Sequence, residues 1–353
     1  METEPRPSVP GQPEAGGGGE RGRATRGRGG RAIAGLSLVL PILLALYLLS
    51  GRYPGPGIAS PFRLAADPTA LRILLALRLP RALGALLLGA VLGGAGAAFQ
   101  SIFGNPLVEP GFLGVSQGSA FGAAAAMLLG AGVWPVSAAA FAGGLLALRL
   151  STFLARSFRF GGQVLRLVLA GIAVSALFSS LLAAAKYAAD PLSQLPDIVF
   201  WTMGGLQPMT WARLAAVVPI GLASLALLLA FRWRINVLAL DDEAARALGA
   251  RPELERGIVL AAATAGVAAL TAACGIVSWA GLVVPHAARI LVGADARRSL
   301  PASMGLGAAF VLACDLVART ALPGELPLGI LTSLAGACLF AALLAARRTA
   351  VVR

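Results

Sequence analysis

Charge is scarce in this 353-residue chain. Only 13% of its residues are charged, while 58% are apolar and the mean hydropathy is +0.81. Soluble domains carry about 25% charged residues, so this chain could not cover a water-facing surface, and the composition points to an integral membrane protein. Histidine occurs once, as His286, which excludes a metal centre built from several imidazoles. The three cysteines, Cys274, Cys314 and Cys338, sit in separate apolar runs with no CxxC spacing. They read as small buried hydrophobes, not as a disulfide or metal framework. Lysine also occurs once, as Lys186 in AAAKYAAD, and no GxxxxGK[ST] loop exists. Without a phosphate-cradling loop the chain is not itself a P-loop ATPase. No catalytic residue, metal site or cofactor site follows from the sequence. Any ATP drive must come from another polypeptide.

The chain does have arginine, and a formal net charge of +13. Nucleic acid is excluded as the reason, because the arginines are spread over short loops between apolar runs, as the positive-inside rule describes. A spanning helix needs about 20 apolar residues, and ten such runs can be laid out: 32–50, 72–103, 112–131, 134–155, 164–187, 211–231, 257–276, 278–293, 300–320 and 327–346. The fold expectation is therefore an all-α polytopic membrane protein with about ten transmembrane helices. Residues 1–31, rich in Arg, Gly and Pro without apolar period, read as a disordered cytoplasmic tail and not as a signal peptide. Residues 32–346 form the membrane domain, and 347–353 a short C-terminal tail, also cytoplasmic. Gly275 and Ser278 mark the break between the seventh and eighth runs. Trp134, Trp201, Trp211 and Trp233 fall near run ends, where aromatic belts lie. Gly89 and Gly93, and likewise Gly114, Gly118 and Gly122, repeat every four residues, which lets helices approach closely; a gating hinge is the less favoured reading.

Two regions stand out as functional. The longest inner loop, 241–256, reads DDEAARALGARPELER. Asp241 or Asp242 can cap a short helix, Glu243 suits its positive end, Gly249 can end it and Pro252 can open a second one. Order in a cytoplasmic loop points to a docking surface. On the outer side, Arg78, Arg81 and Arg319 stand where positive charge is disfavoured, which asks for either lipid head groups or an acidic partner. Asp315 and Arg319 are four apart and can pair on one helix, as can Lys186 and Asp190. Asp315 in an apolar run could alternatively be a proton site.

The segment RLPRALGALLLGAVLGGAGAAFQSIFGNPLVEPGFLGVSQGSAFG (78–122), with DEAARALG (242–249), GLVVPHAARILVG (281–293) and GELPLGILTSLAGACLF (324–340), resembles the FecCD family of permeases in iron-siderophore, haem and cobalamin ABC importers. The resemblance runs in order from about residue 35 to the C-terminus. It departs at Ser278-Trp279, usually an apolar Phe-containing pair, and at Asp241, usually Gly. It implies the type II ABC importer permease fold in the inner membrane. The partners it implies are a second permease subunit (a homodimer or a sister chain), two P-loop ATPase subunits and a periplasmic or lipid-anchored substrate-binding protein. By resemblance, Glu243, Ala244, Ala245 and Gly249 couple to the ATPase, and Arg78, Arg81 and Arg319 dock the binding protein. The fifth run is the resemblance's guess for the translocation path, with Gly171, Ser175 and Ser179 lining it and Arg159 and Gly161 in the inner gate. The cargo it implies is a metal chelate, ferric siderophore first, with haem and cobalamin as alternatives in the same architecture. An ion-coupled secondary transporter is the rival of another class, but it would need several midplane acids, and Asp315 is nearly the only one.

Overall fold

In the computed structural model, the described residues are 35, 37–51, 53, 57–58, 60, 66–158, 162–322 and 324–351. The expected N-terminal tail, 1–31, lies outside them.

Among the described residues twelve helices follow one another: α1 Ser37–Leu49, α2 Pro68–Ile102, α3 Val115–Leu128, α4 Val133–Ser157, α5 Gln163–Ala188, α6 Gln194–Met203, α7 Trp211–Leu238, α8 Asp242–Ala247, α9 Pro252–Cys274, α10 Ala280–Val292, α11 Ala296–Thr320 and α12 Leu328–Val351. A two-residue antiparallel pairing, β1 Ser50–Gly51 with β2 Gly57–Ile58, is the only strand pairing among the described residues. Each of the ten expected runs coincides with a helix. Six of these helices (α2, α4, α5, α7, α9 and α11) are long and apolar enough to cross a membrane.

The helix starts obey local chemistry. Asp67 caps α2 by accepting from the Thr69 and Ala70 amides, with Pro68 in the first turn. Thr210 caps α7, and Asp295 caps α11. α2 contains one irregularity, a π-helical turn at Leu74–Arg78 just before Pro80. In that turn the Leu79 amide reaches the Leu74 carbonyl, so the next carbonyl, Leu75, would need an N–H that Pro80 lacks. The Trp211 indole N–H donates to it instead, at 2.9 Å. The start of α7 thereby locks onto the start of α2.

Helix α2 is the central column, packed against α7, α9, α10 and α11. Its small residues make this possible. A Cβ on Gly89 or Gly93 would run into the α11 backbone at Gly307 and Ser303, and one on Gly96 into Gly281 of α10. A second unit, α3, α4 and α5, is built the same way, with Gly118 and Gly122 against the backbone of Gly143 and Ala139. Helix α9 touches both units. The close-packing reading of Gly89, Gly93, Gly118 and Gly122 therefore holds. Gly114 belongs to no stripe. It sits at φ +81 between a 3-10 turn, Pro110–Leu113, and α3, a conformation that glycine adopts without strain.

Some boundaries differ from the sequence expectation. Pro252 does not open a second short helix; it is the first residue of the full-length α9, which continues into the expected span without a break. The stretch 188–210 holds a ten-residue helix, α6. Its Gln194 side chain donates to the Leu128 carbonyl at the end of α3, at 3.1 Å. The break between α9 and α10 is present, with Gly275 at φ +72 and Trp279 at φ +71. Helix α12 runs past residue 346 to Val351.

Candidate functional site

Two clusters of polar side chains lie at opposite ends of the bundle. Asp295 and Asp315, at the two ends of α11, belong to one each, and the helical rise between them is about 30 Å, the thickness of a bilayer core.

At one end stands α8. Asp241 caps it, accepting from the Ala244 amide at 2.8 Å. Gly249 ends it at φ +74. Glu243, Arg246, Ala247, Leu248 and Gly249 are exposed, and Ala244 is half-buried. Ala245 is fully buried, so it seats the knob against the bundle and offers no contact to a partner. Leu240, Leu248 and Leu254 are exposed around the knob. This apolar rim was not read from the sequence, although the polar charges that separate these leucines were visible there. The mount beneath the knob is charged. Arg234 donates to Glu255 at 2.8 Å and to the Gly249 carbonyl at 3.2 Å. Asn236 of α7 donates to Asp295 at 2.7 Å and accepts from the Ala296 amide at 2.8 Å, tying α7 to α11. Burial pushes the Asp295 carboxyl up, but the Arg297 amide and Asn236 outweigh it and hold it below the usual range.

At the other end, Arg81 binds Asp315 through Nε and Nη2, each at 2.9 Å, and Glu325 through Nη1 at 2.8 Å. The Tyr47 hydroxyl donates to Asp315 at 2.5 Å. Arg319 lies over the Tyr47 ring, 4.3 Å from its centre, and donates to the Tyr47 and Ser50 carbonyls. Arg78 donates to the carbonyls of Leu48 and Tyr53, filling the space that Gly51 leaves open. The expected local pair between Asp315 and Arg319 is thus not the one formed. Asp315 is taken by Arg81, 234 positions away, because a bidentate guanidinium fork fits a buried carboxylate better than a side chain turned toward the end of the same helix. Nor does Asp190 pair with Lys186. It closes a turn after α5 by accepting from Ser193 and Leu192, which holds its carboxyl below the usual range. Arg78 and Arg81 are buried and Arg319 is half-buried. With three guanidinium groups and two carboxylates, positive charge is in excess by one. A cavity of about 920 Å³ opens beside the cluster, lined also by Asp197, Trp201 and Arg213.

Helix α5 has one buried stripe, Leu167, Ala170, Gly171, Val174, Phe178, Leu182 and Ala185, and one open face. Ser179 is on the open face with Ala176, Ser180 and Ala183, and Ser175 is half-buried at its edge. Gly171 is not on that face. It packs on the Phe112 carbonyl and Leu113, so it is a contact glycine and does not line a path. Arg159 and Gly161, expected in an inner gate, lie outside the described residues. No group of three or more potential metal ligands occurs among the described residues.

The profile of the FecCD transport family matches residues 37–346. The chain belongs to the FecCD transport family. Within that family, it is 40% identical over 324 residues to the molybdate import system permease protein MolB of Haemophilus influenzae, spanning 89% of this chain and 95% of that one. It is 37% identical to the ferric enterobactin transport system permease protein FepD of Escherichia coli, over 87% of this chain and 92% of that one. The fold of this FecCD chain superposes on an inward-facing conformation of a metal-chelate type ABC transporter with a TM-score of 0.83 at 36% identity, covering 89% of this chain and 98% of that one.

Proposed function

We propose that the chain is the membrane-spanning permease subunit of an ATP-binding-cassette importer of the inner membrane, and that ferric siderophore is the cargo it moves inward. The observation that carries this reading is the α8 knob. Its outer surface is exposed and part apolar, its base is fixed by part-buried ion pairs, and the chain has no nucleotide-binding loop of its own. Glu243, Ala244, Leu248 and Gly249 form the surface that enters a groove on each of two P-loop ATPase subunits. A second permease subunit, identical or a sister chain, completes the path, and the open face of α5 with Ser175 and Ser179 lines it. The ten apolar segments all cross, which leaves both termini in the cytoplasm.

At the outer end, Arg78, Arg81 and Arg319 attract acidic side chains of a periplasmic or lipid-anchored binding protein. Arg319 is the most accessible of the three, held by the Tyr47 and Ser50 carbonyls and the Tyr47 ring. ATP closure of the two ATPases pulls the knobs together, and the permeases shift between two packings of the same helices. An ion-coupled carrier is disfavoured, because the one acid inside α11, Asp315, is already held by Arg81 and Tyr47.

The test is co-purification with the ATPase, followed by uptake in proteoliposomes containing ATP and the binding protein. Replacing Glu243 with Arg and Leu248 with Asp together is expected to abolish both. Retained ATPase binding and uptake would overturn the coupling role. Uptake of molybdate in place of a ferric siderophore would overturn the cargo reading and leave the permease reading standing.

A further inference from the structure

Arg256 lies in the second turn of α9 and is 4% exposed. Its guanidinium uses every nitrogen. Nε donates to the Leu238 carbonyl at 3.1 Å, and Nη2 donates to the Leu238 and Leu240 carbonyls, both at 2.9 Å. Nη1 donates to Asp242 and, at 3.3 Å, to the Gln163 side-chain oxygen. One side chain therefore grips the last carbonyl of α7, the Leu240 carbonyl in the link that follows, the first turn of α8 and the first residue of α5.

Part of this arrangement has a structural reason. The final carbonyls of α7 have no intrahelical partner, and a cation there suits the negative end of the helix. That reason does not account for the Nη1 pair. Asp242 is one-third exposed at the base of the knob, and Gln163 begins the helix whose other face is open. Helix α8 itself packs on α7 and α9. A guanidinium is a planar fork whose donors keep fixed mutual angles. A displacement of Asp242 therefore tilts the whole fork and shifts the donor held by Gln163.

We infer that Arg256 is the positioning residue that transmits displacement of the α8 knob to the inner end of α5. The inference rests on the permease reading, in which an ATPase moves α8. It predicts that the arm to α5 can be cut without removing the mount: Gln163→Leu removes the acceptor, whereas Gln163→Glu keeps one and adds charge to it. Arg256→Lys keeps the charge and loses the fork.

The experiment uses the full chain with its ATPase in proteoliposomes, carrying Cys338→Ser and a thiol introduced by Ser180→Cys on the open face of α5; Cys274 and Cys314 are buried. The rate of modification by a charged maleimide is measured with and without ATP. The parent protein is expected to show an ATP-dependent change of at least about fivefold, the low end of ordinary coupling between sites. Gln163→Leu and Arg256→Lys are expected to lose that change while still co-purifying with the ATPase, and Gln163→Glu to keep it. A merely structural Arg256 would lower thermal stability in the variants and leave the ATP-dependent change intact. If both variants bind the ATPase and respond as the parent does, the inference fails and the permease reading survives. If the parent recruits no ATPase, the permease reading fails and takes the inference with it.

Discussion

Asp315→Leu removes the carboxylate at the centre of the cluster around Arg81 and Tyr47. That carboxylate is fully buried and takes two guanidinium donors at 2.9 Å and the Tyr47 hydroxyl at 2.5 Å. Without it, Arg81, whose side chain is 9% exposed, keeps only the part-exposed Glu325. Taking one partner from a buried pair costs about 3–5 kcal/mol, and an orphaned hydroxyl adds about 1–3. The two penalties overlap, because both arise in one desolvated pocket, so the net loss is about 4–6 kcal/mol. At about 2 °C per kcal/mol for a chain of this size, the midpoint falls by roughly 10 °C. The assay heats detergent-purified protein in steps and measures the monodisperse fraction by size-exclusion chromatography. The decisive comparison is the double variant Arg81→Met with Asp315→Leu. Removing both charges leaves no fully buried ion without its partner, and Glu325, which also loses Arg81, is one-third exposed and can be hydrated, so the double variant should recover much of the loss. A double variant that falls as far as the two single losses added together would refute the ion-pair argument.

Three further outcomes are expected. Gly89→Val should impair stable folding, since any Cβ there meets the α11 backbone at Gly307, which cannot yield as a side chain does; overpacking costs about 1–3 kcal/mol, and more where the obstacle is backbone. Gly132→Ala, with open space around it, serves as the tolerated control, and equal expression of the two would contradict the packing account. Burial holds the Glu109 carboxyl above the usual range, so the folded state favours its neutral form. The contribution is then fully present below the ordinary glutamate range and is lost as pH rises through the folded value. Glu109→Gln should therefore raise the thermal midpoint at pH 7.5 and lose that advantage as pH falls toward 4; a gain independent of pH would exclude the cause. Lastly, Glu325→Gln removes one of the two carboxylates facing three guanidinium groups, and it should tighten capture of an acidic binding protein several-fold at low salt, an effect that fades near 0.5 M salt as screening grows. Unchanged affinity at low salt, measured by biolayer interferometry, would remove the outer cluster from docking.

The sequence by itself determined what depends on composition and local pattern. Sparse charge and ten apolar runs gave a membrane bundle, and each run coincides with a helix. Asp241 or Asp242, with Gly249, marked the knob, because capping depends on residues within one turn, and the structure chose Asp241. The repeats at Gly89 and Gly118 announced tight helix crossings, since only small residues permit them. Pairing across the bundle was decided by the tertiary structure alone. Asp315 was matched to its near neighbour Arg319, but its partner is Arg81 on another helix, and no spacing rule reaches across 234 positions. Gly171 and Ser179 looked alike in sequence, yet one is buried against Phe112 and the other open, because the rotation of α5 is set by α3 and α4. Ala245 turned inward for the same reason. Arg256 gave no sequence signal at all, since what marks it is that three helix ends meet at its guanidinium, and those ends come together only when the chain has folded.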